Sequence, residues 1–277
     1  MLNIYMYPQL KKSYKNRFPF KICTTSYIYP EPIVPNVRLL ASFMDEIELL
    51  LFESSNDSLP GKDQIKTLFS LANEFKISYN VHLPLDIFPG DNDPLIRQYA
   101  VDTIKCITDL TALLSPSTYT LHLPYNEQLK EDQSVKVWIE NIRKSMTLLS
   151  DSGLTGKAIS IETLMYPFSW VENIIKEFNF AVCLDLGHLM LQKTDLGDMF
   201  NKYRQITPII HLHGVKNHKD HIAIDELSPN KTREVMQILK KFTGVLSVEV
   251  FSYKHLTASL TYLEKLFFKK DSKGFSL

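Results

Sequence analysis

The stretch Ala181–Leu189, AVCLDLGHL, decides how this chain is read. Strand alternation puts Val182 and Leu184 on one face and Cys183 and Asp185 on the other, so a carboxylate emerges at the strand's end beside His188. Alone, Asp-x-x-His is as easily a turn former or a helix cap as a pair that shares a metal. The remaining strand ends decide between these readings.

The same unit recurs on both sides of this stretch. Apolar strands are expected at Lys21–Ser26, Glu46–Glu53, Ser78–Leu83, Tyr119–Leu123, Ala158–Glu162, Ala181–Asp185, Ile209–His213 and Val245–Phe251, each followed by a helical pattern. Even the shortest step between strand starts, from 158 to 181, leaves room for a crossover helix. The helices carry period-3.6 stripes, such as Ile65, Leu68, Phe69, Ala72 and Phe75, or Val235, Ile238, Leu239 and Phe242. Asp93-Pro94 and Ser228-Pro229 each set a capping side chain before a proline at the first helical position. A last helix with Leu256, Leu260, Leu263 and Phe267 closes the ring. No Gly/Ser-rich linker divides the repeats, and 277 residues suit one barrel of about 250. The expected fold is α/β: a single (β/α)8 TIM barrel over residues 20–268, with a loose leader at 1–19 and a polar tail at 269–277.

Lys+Arg and Asp+Glu both number 31, so no global charge bias advertises nucleic acid or an anionic membrane, although a local basic groove can hide in a neutral total. Cys23, Cys106 and Cys183 are odd in number and lack C-x-x-C spacing, which argues against a disulfide framework or a cysteine zinc knuckle and fits a reducing cytoplasm. In the first residues a short apolar run precedes the basic cluster and no small-residue cleavage site follows, unlike a signal peptide. No apolar run approaches the ~18 residues of a membrane span.

In a parallel barrel the functional groups gather at the carboxyl ends of the strands. Here strand three turns Asn80 and His82 inward, strand four Thr120 and His122, and strand five Glu162. Strand six brings Asp185 and then His188, strand seven His211 and His213, and strand eight Glu249; the loop after strand seven adds Lys216, His218, Asp220 and His221. Any one of these is more often a hydrogen-bonded structural group than a ligand. Together, with nearby Lys or Arg scarce, they would cost several kcal/mol per buried ion unless divalent cations supplied the counter-charge. Mixed imidazole and carboxylate donors suit zinc, manganese or iron over calcium or magnesium, and there are too many for one ion. Two or three clustered metals point to in-line displacement at phosphorus.

The series His82, His122, Glu162, Asp185, His188, His211, Asp220, His221 and Glu249 resembles the metal ligands of the xylose isomerase-like barrels, specifically the endonuclease IV type of abasic-site nucleases. One departure is that this family spaces its late pair as Asp-x-His, whereas Asp220 and His221 are adjacent. The related sugar isomerases and epimerases hold one metal with four such residues, here Glu162, Asp185, His211 and Glu249; the extra His82, His122 and His221 favour the phosphodiesterase branch. A closer resemblance lies in KICTTSYIYP (21–30), IVPNVRLLA (33–41), DEIELLLFE (45–53), NVHLPLD (80–86) and IIHLHGV (209–215), which look like the cobamide-remodelling phosphodiesterases. It implies hydrolysis of the phosphoester between a corrinoid's aminopropanol arm and its lower-ligand nucleotide, with two or three divalent ions, zinc or manganese, as cofactors. Glu162, Asp185 and Glu249 would then be the catalytic acids.

An aromatic rim is expected from Tyr27, Tyr29, Phe52, Tyr125, Tyr166, Phe168 and Trp170, able to cover a flat apolar ring or stack on a base, or serving only as loop packing. Lys216 and His218 are candidates for a phosphate oxygen, and His213 for a substrate-facing or supporting role beside His211. Glu48 either faces the barrel interior or salt-bridges there, and His255 reads as a surface group. The rivals are an abasic-site DNA endonuclease, a single-metal sugar isomerase or epimerase, and a non-catalytic corrinoid-binding or metal-binding protein. The first would need basic loops, and SSNDSLPG (54–61) and PLDIFPGDNDP (84–94) hold no Lys or Arg.

Overall fold

Each apolar segment becomes a strand buried on both faces, and the strands close into one ring. In the computed structural model, which describes residues 7–125, 132–151, 153 and 156–268, the barrel strands are β1 (Lys21–Thr25), β2 (Glu46–Leu50), β3 (Ser78–His82), β4 (Tyr119–Leu121), β5 (Ile159–Glu162), β6 (Ala181–Asp185), β7 (Ile209–Leu212) and β10 (Val245–Val248). They pair in parallel in the order β1-β10-β7-β6-β5-β4-β3-β2 and join back to β1. A separate antiparallel hairpin, β8 (Gly214–Lys216) and β9 (Lys219–Ile222), stands between β7 and the next helix. The expected barrel is therefore what forms, with most strands ending a few residues earlier than the apolar runs do.

The crossover segments are α1 (Ile33–Leu40), α2 (Lys62–Phe75), α3 (Pro94–Thr111), α4 (Asp132–Ser150), α5 (Glu172–Glu177), α6 (Leu186–Leu191), α7 (Leu196–Tyr203), α8 (Pro229–Leu239) and α9 (Tyr253–Phe268). The proline-led starts behave as expected: Asp93 accepts from the Leu95 N–H at 2.8 Å, and Ser228 accepts from the Lys231 N–H at 3.4 Å. In α2 the buried face is Ile65, Leu68 and Leu71, while Phe69, placed in the stripe from spacing, is 41% exposed. Outward-facing strand residues such as Ile47, Leu49, Val81, Leu121, Ile161, Val182, Leu184 and Leu212 join the helices in one apolar layer. Inside the ring, Cys23, Cys183, Ile209 and Val245 form a small apolar plug, and the mouth above it is polar.

Residues 7–19, expected as part of a loose leader, are packed. Leu10 and Tyr14 are buried, the Tyr14 N–H donates to the Phe43 carbonyl at 2.9 Å, and Lys12 and Arg17 both engage Glu264 on α9. Apolar side chains hidden in a basic stretch contribute to this by their burial, together with the backbone bond to Phe43 and the ion pairs to Glu264. The expected tail at 269–277 lies outside the described residues. The three cysteines are unpaired, Cys23 and Cys183 buried and Cys106 exposed. No helix among the described residues is long and apolar enough to cross a membrane.

Candidate metal centre

Glu162, the last residue of β5, is the hub of the mouth. Its Oε2 lies 3.0 Å from His122 Nε2, 3.3 Å from His82 Nε2 and 3.4 Å from His211 Nδ1, and its Oε1 lies 3.3 Å from His188 Nδ1. Glu249, one residue past β10, brings Oε2 to 3.3 Å from His211 Nδ1 and 3.6 Å from His221 Nε2. Parallel pairing sets these heights: His211 on β7 is in register with Asp185 on β6 and with Ser247 on β10. Period-two alternation then turns all of them inward together.

Asp185 caps a helix and also stands beside the imidazole of His188. Its Oδ1 accepts the His188 N–H at 2.8 Å and caps α6, while Oδ2 lies 3.2 Å from His188 Nδ1. Thr163, directly after β5, steadies the pair. Its hydroxyl accepts the Asp185 N–H at 2.9 Å, and its carbonyl lies 3.2 Å from His188 Nδ1.

Burial and mutual charge control these groups. Burial alone would push Glu162 up, but the imidazoles of His122 and His211, and the close approach of His122 and His188 to its two oxygens, hold it well below the carboxylate range. Burial opposes ionisation of Glu249 likewise, and His211 and His221 keep it well below. For His188, burial lowers and Asp185 and Glu162 raise, leaving it at about 10; for His221, burial is outweighed by Glu249, Asp220 and Asp185, giving about 9. His82 and His211 are also raised against the pull of burial, His82 by Glu162 and His211 by Cys183 and the surrounding carboxylates. The centre is thus a dense set of acids that demands positive charge.

The donor atoms fit divalent ions. Glu162 Oε2, Asp185 Oδ2, His122 Nε2, His211 Nδ1 and Glu249 Oε2 are buried without a hydrogen-bond partner among the described residues. Ligand atoms about 2.1 Å from a tetrahedral zinc stand roughly 3.4 Å apart, and the contacts around Glu162 and Glu249 fall near that separation. Four groups have donor atoms within 4.8 Å of one another: His82, Glu162 and His211; Glu162, Asp185 and His188; Asp185, His211 and Glu249; and His188, His213 and His221.

Other expected site residues are placed differently. Asp220 joins none of those groups among the described residues; it is 44% exposed and pairs with His221 at 3.2 Å. Asp220 lies on the exposed side of the hairpin, and the left-handed backbone of His221, at φ 49°, turns that imidazole toward Glu249 while Asp220 stays at its outer edge. Lys216 is exposed and held by Glu226 at 2.7 Å, and His218 lies in the exposed hairpin turn. Tyr29 is buried against Tyr7 and Tyr253, its hydroxyl donating to the Pro8 carbonyl, and Phe168 is buried against Tyr203. Both are packing residues, not parts of the rim.

The rim has two aromatic groups. Tyr27, 47% exposed, meets Phe52 edge-on at 4.9 Å; Phe52 touches Phe251, which stacks on His221 at 5.1 Å. Partly exposed Tyr125 and Trp170 form the other, packed on Trp138 and Tyr166, which are buried, with centroids 5.0 to 5.9 Å apart. Sequence reasoning misses Phe251 and Trp138. It also misses the partner of Glu48, whose Oε1 lies 2.9 Å from His211 Nε2 while Ser247 donates to its Oε2 at 2.7 Å. Alternation with Glu46 along β2 is the signal that turns Glu48 inward.

Eight parallel strands with ligand-rich carboxyl ends define a β/α barrel whose chemistry belongs at one mouth. More particularly, the chain belongs to the xylose isomerase-like TIM barrel family, which matches residues 38–268. Among solved structures it is similar to a D-tagatose 3-epimerase-like protein, with 19% identity, 89% of this chain and 96% of that one covered, and a TM-score of 0.73. Endonuclease IV from Thermus thermophilus is 12% identical, with 88% and 99% covered and a TM-score of 0.65. The IOLI protein, solved with a bound zinc atom, is 15% identical, with 91% and 100% covered and a TM-score of 0.66. At these identities the likeness is one of fold. A comparison with curated protein sequences finds no match.

Proposed function

We propose that this protein is a metal-dependent phosphodiesterase that opens the nucleotide loop of cobamides, releasing cobinamide. The observation that carries the multi-metal reading is the double engagement of Glu162: three imidazoles face Oε2 and a fourth faces Oε1. A carboxylate approached at both oxygens suits a bridge between ions better than a single-ion site. Divalent ions there would supply counter-charge, acidify water and hold phosphoryl oxygens. The chain's own part is to hold them with Glu162, Asp185 and Glu249 and with the buried imidazoles of His82 and His211.

The corrinoid as substrate is supported by the resemblance of five sequence stretches and by the two aromatic groups, which would cover a broad apolar ring. A test incubates purified protein separately with a cobamide and with abasic-site duplex DNA, each with and without a chelator. Chelator-sensitive release of cobinamide is expected; strand nicking instead would replace this reading with a nuclease. A second reading, a single-metal sugar epimerase, is favoured by the convergence of Glu162, Asp185, His211 and Glu249. It predicts one ion per chain and turnover of a free ketose.

A further inference from the structure

The loops that follow β3 and β4 enclose, with the start of α4, a cleft of about 530 Å³. Phe88, Tyr125, Val137 and Trp138 supply its apolar lining, and Asp91, Asn92, Gln133 and Ser134 its polar lining. Both loops leave carboxyl ends of barrel strands, so the cleft belongs to the same end of the barrel as the metal centre. Pro124 follows His122 by two residues, and even a fully extended chain keeps their Cα atoms within about 7 Å. The cleft therefore adjoins an imidazole that faces Glu162.

Hydrogen bonds join α4 to both loops and fix the cleft's shape. Trp138 Nε1–H donates to the Pro124 carbonyl at 3.0 Å, the Ser145 hydroxyl donates to the Pro89 carbonyl at 2.7 Å, and the Asn141 amide donates to Asn92 Oδ1 at 3.2 Å. That last bond leaves the Asn92 amide N–H groups free to donate to a ligand. A Cβ at Gly90 would come within 2.3 Å of Trp138 Cδ1, so a bare glycine is what lets the loop lie against the indole. Phe88 and Val137 stay 43% and 41% exposed, although each could have been turned into the core of its own element.

The lining selects the ligand by its chemistry. It contains no Lys or Arg, so it offers nothing to attract a phosphate, while exposed apolar surface lies beside a carboxylate, two amides and a hydroxyl. Such a mixture suits a flat ring that carries nitrogens and a sugar that carries hydroxyls. The volume is that of a small-molecule site and takes a base with its ribose, not a corrin macrocycle with its side chains. We propose that this cleft is the subsite for an uncharged heteroaromatic base and its sugar, the nucleotide side of the proposed substrate. The inference rests on the phosphodiesterase reading, and its test can fail separately from it.

Benzimidazole riboside is titrated by calorimetry into the wild type, Phe88→Ala and Val137→Arg, with cobinamide as competitor and ion content measured on the same samples. Both positions are exposed, so the variants should keep the wild-type unfolding midpoint and ion content. The riboside should bind the wild type, bind each variant at least ~10-fold more weakly, and resist displacement by cobinamide. No binding to the wild type, unchanged binding in either variant, or displacement by cobinamide would overturn the proposal. Hydrolysis of a cobamide with unchanged KM in both variants would also remove the subsite while leaving the proposed function in place. Riboside binding that is lost in both variants, without any release of cobinamide from a cobamide, would count against the proposed function alone.

Discussion

Asp185 takes the backbone N–H of His188 on one oxygen, at 2.8 Å, and faces the imidazole of the same residue with the other, at 3.2 Å. One side chain therefore starts α6 and stands among the candidate metal ligands, and the two roles can be separated chemically. Asp185→Asn keeps an oxygen for the cap but loses the charge. It should retain the wild-type unfolding midpoint nearly unchanged while metal content and turnover collapse. Asp185→Ala removes both, and should cost about 1 kcal/mol more in denaturant unfolding of the metal-free proteins. Near-normal turnover in either variant would contradict the assignment.

Metal uptake should release protons. In the metal-free protein His188 sits at about 10 and His221 at about 9, so both are charged at pH 8, whereas ligation requires neutral imidazole. Zinc titrations at pH 8 in two buffers of different ionisation enthalpy should give different apparent heats, and affinity should weaken as pH falls. Identical heats in both buffers would show that neither group carries a proton to lose.

Glu48 supports the centre from beneath. Its Oε1 lies 2.9 Å from His211 Nε2, leaving Nδ1 toward Glu162 and Glu249. Glu48→Gln should weaken metal binding by about 10- to 100-fold with all ligands intact, read as a competition constant against a chromogenic chelator. Unchanged affinity would reduce Glu48 to barrel filling.

The packed N-terminal segment has its own pH signature. The hydrogen bond from Lys12, with help from Arg17 at 2.7 Å, holds Glu264 below the usual carboxylate range. A depressed folded value means stability that is present above the unfolded value of about 4.3 and lost as pH falls through the folded one. Glu264→Gln should therefore destabilise by under about 1 kcal/mol at pH 7 in low salt, and the difference should shrink steadily as the solution is acidified below the unfolded value. A difference that persists in acid would mean packing, not charge, is lost.

Both tryptophans of the chain, Trp138 and Trp170, belong to the ring group with Tyr125 and Tyr166. A corrinoid bound at the mouth should quench nearly all intrinsic tryptophan emission. Trp170→Ala should raise KM several-fold with ion content unchanged; quenching that survives only at solvent-collision concentrations would place the substrate elsewhere.

The barrel is legible in the sequence because period-two strands and period-3.6 helices repeat without interruption, and burial on both strand faces leaves few other arrangements. Inward groups at strand ends, such as Glu162 and His211, follow from the same alternation. The loops are less legible. Tyr29 and Tyr27 are two residues apart and equally aromatic, yet one packs beneath the N-terminal segment and the other is exposed. Nothing local distinguishes them, since the difference comes from residues 7 to 10, far along the chain's path. Leu10 and Tyr14 are hidden in the same way, as isolated apolar side chains whose partners become visible only in three dimensions.

The hairpin β8–β9 is hydrogen-bonded within itself and takes no place in the barrel's order. His221 therefore reaches Glu249 and stacks on Phe251 from outside the barrel's hydrogen-bonding order, so the connection after strand seven shapes the mouth without taking part in the pairing of any barrel strand.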